Sequence, residues 1–349
     1  MMSAINIDIP ASQYQALVGV GGIGSGVFFS LDGDHTLGRE ESRSGRFLDR
    51  RDYCKLHIIS HYVQTLLGED FCTIPIGKLG SDPAGLQLTK EMKAAHLDMR
   101  HIQVCHGDQT LYSLCLIYPD GSGGNLTVDN SACNKVDADF VHSAETDFAR
   151  FSGRGIALAA PEAPLAARER LLQLATQYNF YRVASFVSAE MRPAIEMGLL
   201  SMVDLLTINL DEAAAAAGIK AESGAPLSVM VGAVHKLHRI NPEMVVSITA
   251  GRNGSWTWDG KTLHHLAAFP AQIVSTAGAG DAFTAGMIIA RVAGLCLSEA
   301  QEFAGLVATF SITSPHTIHP QLERGSLLAF AEANQISLSP PVQRLLLEP

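Results

Sequence analysis

The chain is 349 residues long, room for one large α/β domain or two smaller ones, with 47% hydrophobic and 17% charged residues and no apolar run long enough to span a bilayer. A formal net charge of −10 weighs against a nucleic-acid partner, whose affinity rests on lysine and arginine neutralising phosphates, and leaves a small molecule as the expected partner. The start MMSAINIDIPASQYQ lacks the basic cluster and apolar stretch of a secretory leader, and the six cysteines (54, 72, 105, 115, 133 and 296) show no C-x-x-C spacing; buried thiols in a reducing cytoplasm are expected, with no membrane contact.

Residues 16–31, ALVGVGGIGSGVFFSL, open as a buried strand and pass through glycines into a second extended run. Residues 19–24 satisfy the dinucleotide fingerprint G-x-G-x-x-G, but that fold needs a helix straight after the glycines and an acidic residue about 20 positions on. Here Val27, Phe28 and Phe29 favour strand, and Asp32-Gly33-Asp34 turns the chain, so a dehydrogenase is not expected. The stretch from Arg39 to Lys55 carries Arg39, Arg43, Arg46, Arg50, Arg51 and Lys55 among Glu40, Glu41, Asp49 and Asp52, and reads either as a basic cluster that meets an anionic ligand or as a solvated surface loop.

Residues 55–68 carry Leu56, Ile59, Val63 and Leu66 at helical spacing and stop at Gly68. His57 and His61 share a face of that helix but lack the intervening glutamate of a zinc-protease motif, and read as structural. FCTIPIGKLG follows as a strand, and Ser81-Asp82-Pro83 opens a helix, with Asp82 as its cap, Pro83 in its first turn and Leu88, Met92 and Ala95 as its apolar stripe. Residues 110–129 form two β runs around a turn rich in Pro, Asp and Gly, a hairpin expected to stand off the main sheet.

After residue 150 strand and helix alternate: GIALAAP then LAARERLLQLATQYN, YRVASFV then PAIEMGLLSM, VDLLTIN then DEAAAAAG, followed by LSVMVGAVHKLHRI and MVVSITA. Continuously apolar strands in such an alternation predict a parallel sheet buried on both faces. Trp256 to Leu263 reads as a late hairpin turning at Asp259-Gly260. No composition shift marks a linker, so residues 1–349 are expected to form a single α/β domain.

Residues 275–286, STAGAGDAFTAG, set a run of small residues and one carboxylate directly ahead of the apolar stretch Met287 to Val292. Gly278, Ala279 and Gly280 lack bulk that would hold a ligand off the backbone, and a helix opening there points unpaired N–H groups and its positive dipole end at an anion. Asp281 beside that anion repels a phosphate, so its useful role is to accept a proton from a nucleophile attacking it.

Gly-Ala-Gly-Asp followed by a small-residue helix resembles the second signature of the ribokinase-like (PfkB) carbohydrate kinases, in which that aspartate is the catalytic base and the preceding amides form the anion hole. The resemblance implies a three-layer α/β sandwich with a mainly parallel sheet and a small β lid, here about 27–48 and 108–131. GKLGSDPAG at 77–85 is similar to the family's Gly-x-x-Gly-x-Asp-x-x-Gly segment. Asn209 and Glu212 match its N-x-x-E, which organises magnesium and the phosphates of ATP through metal-bound water. Thr249, Gly251 and Gly254 resemble the strand end that borders the nucleotide, and Gly305 and Thr309 lie in a segment similar to the helix that closes over the base.

The likeness departs where the family holds its sugar. RRDYCKLHII at 50–59 replaces the first signature, Gly26 stands where the early strand ends in a sugar-gripping aspartate, and Ser275 replaces an acidic residue bordering a monovalent-cation site, so no potassium requirement carries over. Asp34, Arg50, Arg51, Asp52 and Lys55 are the alternative substrate contacts. The expected activity is ATP- and magnesium-dependent phosphoryl transfer to a hydroxyl of a sugar or polyol, with a nucleoside or an acidic or phosphorylated sugar as other acceptors. The helix dipole is expected to keep Asp281 ionised. A nucleotide- or metabolite-binding relic that has lost its sugar clamp is the alternative, and exposed lid edges predict a homodimer.

Overall fold

The computed structural model describes residues 3–119, 123–219 and 226–347. Its strands are β1 (Ala16–Val20), β2 (Gly24–Leu31), β3 (Gly45–Tyr53), β4 (Cys72–Gly80), β5 (Ile102–Cys105), β6 (Leu111–Ile117), β7 (Gly123–Thr127), β8 (Gly155–Ala159), β9 (Tyr181–Ala184), β10 (Leu205–Asn209), β11 (Val245–Thr249), β12 (Ser255–Trp258) and β13 (Leu263–Leu266). Nine of them form one sheet in the order β13-β12-β11-β10-β9-β8-β1-β4-β5, parallel except for the antiparallel pairings of β11 with β12 and β12 with β13. The other four make a separate sheet, β3-β2-β6-β7.

The central strands are apolar throughout because both faces are covered. Along β1, Leu17 packs into one core while Ala16, Val18 and Val20 pack into the other. The Leu17 side is filled by α1 (Lys55–Leu67), with α2 (Pro83–Ala94) at its margin. The opposite side holds α3 (Ala138–His142), α4 (Glu145–Arg150), α5 (Leu165–Gln177), α6 (Ser188–Glu196), α7 (Leu210–Ala217) and α8 (Pro226–Ile240). α9 (Ala279–Val292), α10 (Leu297–Ser311), α11 (Arg324–Ala333) and α12 (Pro340–Leu346) return to the first side and complete a three-layer sandwich.

Local signals account for most element ends. Gly68 closes α1 at φ 81°, and the Asp82 carboxylate accepts from Gly85 N–H at 2.8 Å to open α2, with Pro83 in its first turn. The same carboxylate accepts from the Thr110 amide at 2.7 Å and hydroxyl at 2.6 Å, tying the start of α2 to the segment that enters β6. The glycines at 19–24 lead into strand β2, where a dinucleotide fold would need a helix. The 110–129 hairpin forms as β6 and β7, off the main sheet; residues 120–122 of its turn lie outside the described residues. α6 starts at Ser188, ahead of the stretch expected from Pro193, because Glu190 reaches back to the Val187 amide at 3.2 Å and opens the helix early.

Two expectations need correction. Residues 45–53 are strand β3 rather than a loop or a lid segment ending at 48: pairing with β2 overrides the charged composition. Of the six cysteines expected to be buried, only Cys54 and Cys133 are; Cys72, Cys105 and Cys115 are half-buried and Cys296 is exposed. Among the described residues no helix is long and apolar enough to cross a membrane.

Candidate active site

Ligands of open parallel sheets sit beyond the carboxyl ends of the strands, and the chemistry-bearing residues collect there. Asn209 ends β10, Thr249 ends β11, Ser185 follows β9 and Glu162 follows β8. The four-stranded sheet roofs the same edge. Three cavities run along it, of ≈ 300, ≈ 180 and ≈ 380 Å³. Asp281, Gly278 and Lys55 line both the first and the second; Asn209, Thr249, Gly280 and Phe283 line both the second and the third. The cavities are therefore neighbouring parts of one trough.

The head of α9 stands at the junction. Gly278 caps the helix at φ 78°, a left-handed conformation that favours glycine, and a Cβ there would lie 2.9 Å from Thr317 O. A Cβ on Gly280 would meet nothing within 4 Å, so that backbone faces open space. Ala279 N–H already donates to Thr276 O at 3.3 Å, whereas the amides of Gly278, Gly280 and Asp281 have no partner among the described residues. These are the donors an anion can use.

Asp281 is half-buried at the floor of the trough. Burial pushes its carboxyl up to about 7; Lys55 works against that shift, and Glu162, Glu212 and Asp52 add to it. The expectation that the dipole keeps it ionised is corrected on this point, because a helix end contributes only about 0.3–1 kcal/mol and desolvation beside other carboxylates outweighs it. Lys55 is the first residue of α1. Burial alone would depress its ammonium, but Asp281, Glu162 and Glu212 outweigh that effect and hold it above the usual lysine range.

The N-x-x-E tetrapeptide forms a reciprocal cap: Asn209 Oδ1 accepts from Glu212 N–H at 2.9 Å and Glu212 Oε2 accepts from Asn209 N–H at 2.8 Å. Both residues also line the middle cavity, where Glu212 Oε1 has no partner among the described residues. Burial pushes the Glu212 carboxyl up to about 7, with Asp211 and Glu190 adding to the rise and Lys55 opposing it. A magnesium ion held through water by Asn209 and Glu212 fits this pair.

The third cavity is apolar, walled by Leu266, Phe269 and Ala308, with Gly251, Gly254, Gly305 and Thr309 in its lining. A Cβ on Gly305 would already lie 3.0 Å from Leu266 and 3.3 Å from Phe269, so glycine keeps this space open. The Thr309 hydroxyl donates back to Gly305 O at 2.7 Å. A planar, partly apolar group such as a nucleobase fits here.

The first cavity lies between body and lid. Asp52, Lys55, Phe28, Ser113, Cys115 and Asn125 line it, together with Glu162, a residue that sequence reasoning missed. Glu162 adopts φ 71°, unusual for a residue with a side chain. Its Oε2 accepts from Lys55 N–H at 3.0 Å, capping α1 from outside, and its Oε1 lies 3.7 Å from Lys55 Nζ. A lone acidic residue just past the end of an apolar strand was the available signal, visible only once that strand is known to be central.

Of the other expected contacts, Asp34 is exposed beside His35, and Arg51 points away from the trough towards Glu91 at 3.3 Å. Neither lines a cavity. Arg50 lies 5.9 Å from the Phe28 ring, at the edge of the first cavity. The remaining arginines of the cluster lie beside carboxylates, Arg39 and Arg43 next to their sequence neighbours Glu40 and Glu41, and Arg46 next to Asp32 just past the end of the paired strand. His57 and His61 belong to α1 and line none of the cavities.

Gly26 is paired with Asp52 across the β2–β3 ladder. A Cβ on Gly26 would fall 2.1 Å from Ser113 Oγ and 2.6 Å from Asp52 Oδ2. The next strand thus fills with its own carboxylate the space that a side chain on β2 would need.

Comparisons with known proteins agree with this architecture. Residues 63–324 match the model of the "pfkB family carbohydrate kinase". Ribokinase of Arabidopsis thaliana is 24% identical over 259 residues, which is 72% of this chain but 65% of that protein. Fructoselysine 6-kinase of Escherichia coli is 42% identical over 55 residues, 16% of this chain and 21% of that protein. Among solved structures, ribokinase from Giardia lamblia superposes with a TM-score of 0.75 at 17% identity, covering 90% of this chain and 99% of that one. With more than half of its length matched by the family model, the chain belongs to the PfkB family of carbohydrate kinases.

Proposed function

We propose that the chain transfers the γ-phosphoryl group of ATP to a hydroxyl of a small polyhydroxy molecule, with Asp281 as the base. The observation that carries this reading is the position of Asp281: its carboxylate lines both the cavity beneath the lid and the cavity of Asn209 and Glu212, at the head of a helix with open amides. Asp281 takes the acceptor hydroxyl's proton as the new oxygen–phosphorus bond forms, and the bond from the γ-phosphorus to the bridging oxygen breaks, leaving ADP. The Gly278, Gly280 and Asp281 amides receive the charge on the transferring oxygens. Magnesium would neutralise the phosphates. The ring of carboxylates around Lys55 supports a neutral or cationic acceptor over an acidic or phosphorylated one.

Asp281→Asn is expected to lower turnover by about 10²–10⁴-fold while ATP binding persists. In the unchanged protein the base must be ionised, so kcat/KM for the acceptor should climb as pH rises through about 7. Unaltered turnover in the variant would remove the base from the mechanism and favour a binding relic.

We also infer a homodimer through the outer face of the lid, where Phe47 is 69% and Leu126 61% exposed and Tyr112 is also exposed, their register putting them on the face opposite Asp52, Ser113 and Asn125. An apolar sheet face of this kind is normally covered.

A further inference from the structure

Asp52 is only 7% exposed, yet its carboxylate is half satisfied. Oδ2 accepts from Ser113 Oγ at 2.6 Å and from Cys115 Sγ at 3.3 Å. Oδ1 has no partner among the described residues, and the side chain lines the cavity beneath the lid. Oδ1 is open to the cavity and takes no donor from those residues, so it is free to accept one from a molecule bound there. Glu162 faces the same space with its second oxygen 3.7 Å from Lys55 Nζ, too long for a hydrogen bond. Lys55 is already shared among Asp281, Glu162 and Glu212. Three carboxylates, Asp52, Glu162 and Asp281, therefore line this cavity with one ammonium among them.

A neutral polyol brings only uncharged donors to these oxygens. A hydroxyl donating to a carboxylate already makes a charge-assisted bond; what an ammonium adds is three donors on one atom and a positive charge set against several carboxylates at close range. We propose that the acceptor carries, besides the hydroxyl that meets Asp281, a protonated amine, and that Asp52 together with Glu162 holds it. The amine is not altered in the reaction; it orients the molecule and selects it against neutral sugars of the same shape. Asp52 is positioned for this by the fold: Tyr53 N–H donates to Thr317 Oγ1 at 3.0 Å and Arg51 N–H to His316 Nδ1 at 2.9 Å, pinning the end of β3 to the segment that packs over Gly278. The proposal rests on the kinase reading and narrows it to amine-bearing polyols.

The test uses matched pairs: glucosamine against glucose and glucamine against glucitol, with N-acetylglucosamine as the uncharged amide control. Binding to the full chain is read by calorimetry at pH 7, and ADP release with ATP and magnesium is read separately. Each amine is expected to bind about tenfold or more tightly than its neutral partner. Asp52→Asn, which keeps the bond from Ser113, should bring that ratio close to one, and Glu162→Gln should reduce it. Equal binding of amines and neutral partners, failure of both amines to bind, or a preference that survives both substitutions would overturn the proposal. The kinase reading is judged apart from this: ADP release with neutral polyols and no amine preference sinks only the present inference, whereas a chain that binds no ATP fails at the earlier step.

Discussion

The proposed nucleotide side and the proposed acceptor side of the trough are built in different ways. On the nucleotide side each part is a short contiguous segment: Gly278 to Asp281 at the head of α9, Asn209 to Glu212 at the head of α7, and Gly251 to Gly254 after β11. Each combines a strand end or helix start with its ligand-facing groups, so local sequence carries both conformation and chemistry. On the acceptor side Asp52, Lys55, Glu162 and Asp281 come from β3, α1, the loop after β8 and α9; the last three meet at the edge of the main sheet, and Asp52 joins them only because the lid sheet is folded over it. A phosphate presents the same face to every such protein, whereas an acceptor changes from one to the next; the first can be met by a fixed backbone motif and the second is met by exchangeable side chains.

Lys55 is where the two sides join, and removing it tests the comparison most severely. Lys55→Met is expected to lower kcat/KM for the acceptor by about 100-fold, since the ammonium that orders Glu162 and Asp281 is gone. It should also move the acid limb of the pH profile upward, because Lys55 is the group that opposes the rise of the Asp281 pKa. A limb that stays near its original pH would mean that Lys55 acts on one side only.

Gly305→Leu sharpens the comparison from the other end. Its side chain would fill the space between Leu266 and Phe269, and the KM for ATP should rise by about tenfold or more while the acceptor's KM is unchanged. An equal rise in both would show that the two sides are not separable. The smallest effect is expected at the lid's outer face. Phe47→Glu should weaken self-association several-fold in sedimentation while leaving ATP binding intact; a chain that is monomeric before substitution would remove the lid interface altogether.

How much of this was legible in advance follows the same division. Gly68, Asp82 and Pro83 announced helix boundaries because caps and stops are local hydrogen-bonding problems. The alternation after residue 150 announced the parallel sheet, because only a strand covered on both faces can be apolar throughout. Strand β3 was not legible: its nine residues include Arg46, Arg50, Arg51, Asp49 and Asp52, and only cross-strand pairing with β2 makes such a segment extended. The rise of the Asp281 pKa was likewise not legible at its helix start, since it comes from burial in the folded trough, with Glu162, Glu212 and Asp52, remote in the chain, adding to it.

By itself, then, the sequence determined the layer architecture, the open helix head and the carboxylate beside it, all of which depend on residues within a few positions of one another. Tertiary structure alone decided which charges share a cavity, that Asp52 fills the space over Gly26 and that Glu162 reaches Lys55. The physical reason is that electrostatics and desolvation act through space, and a distance between side chains from separate elements exists only once the chain has folded.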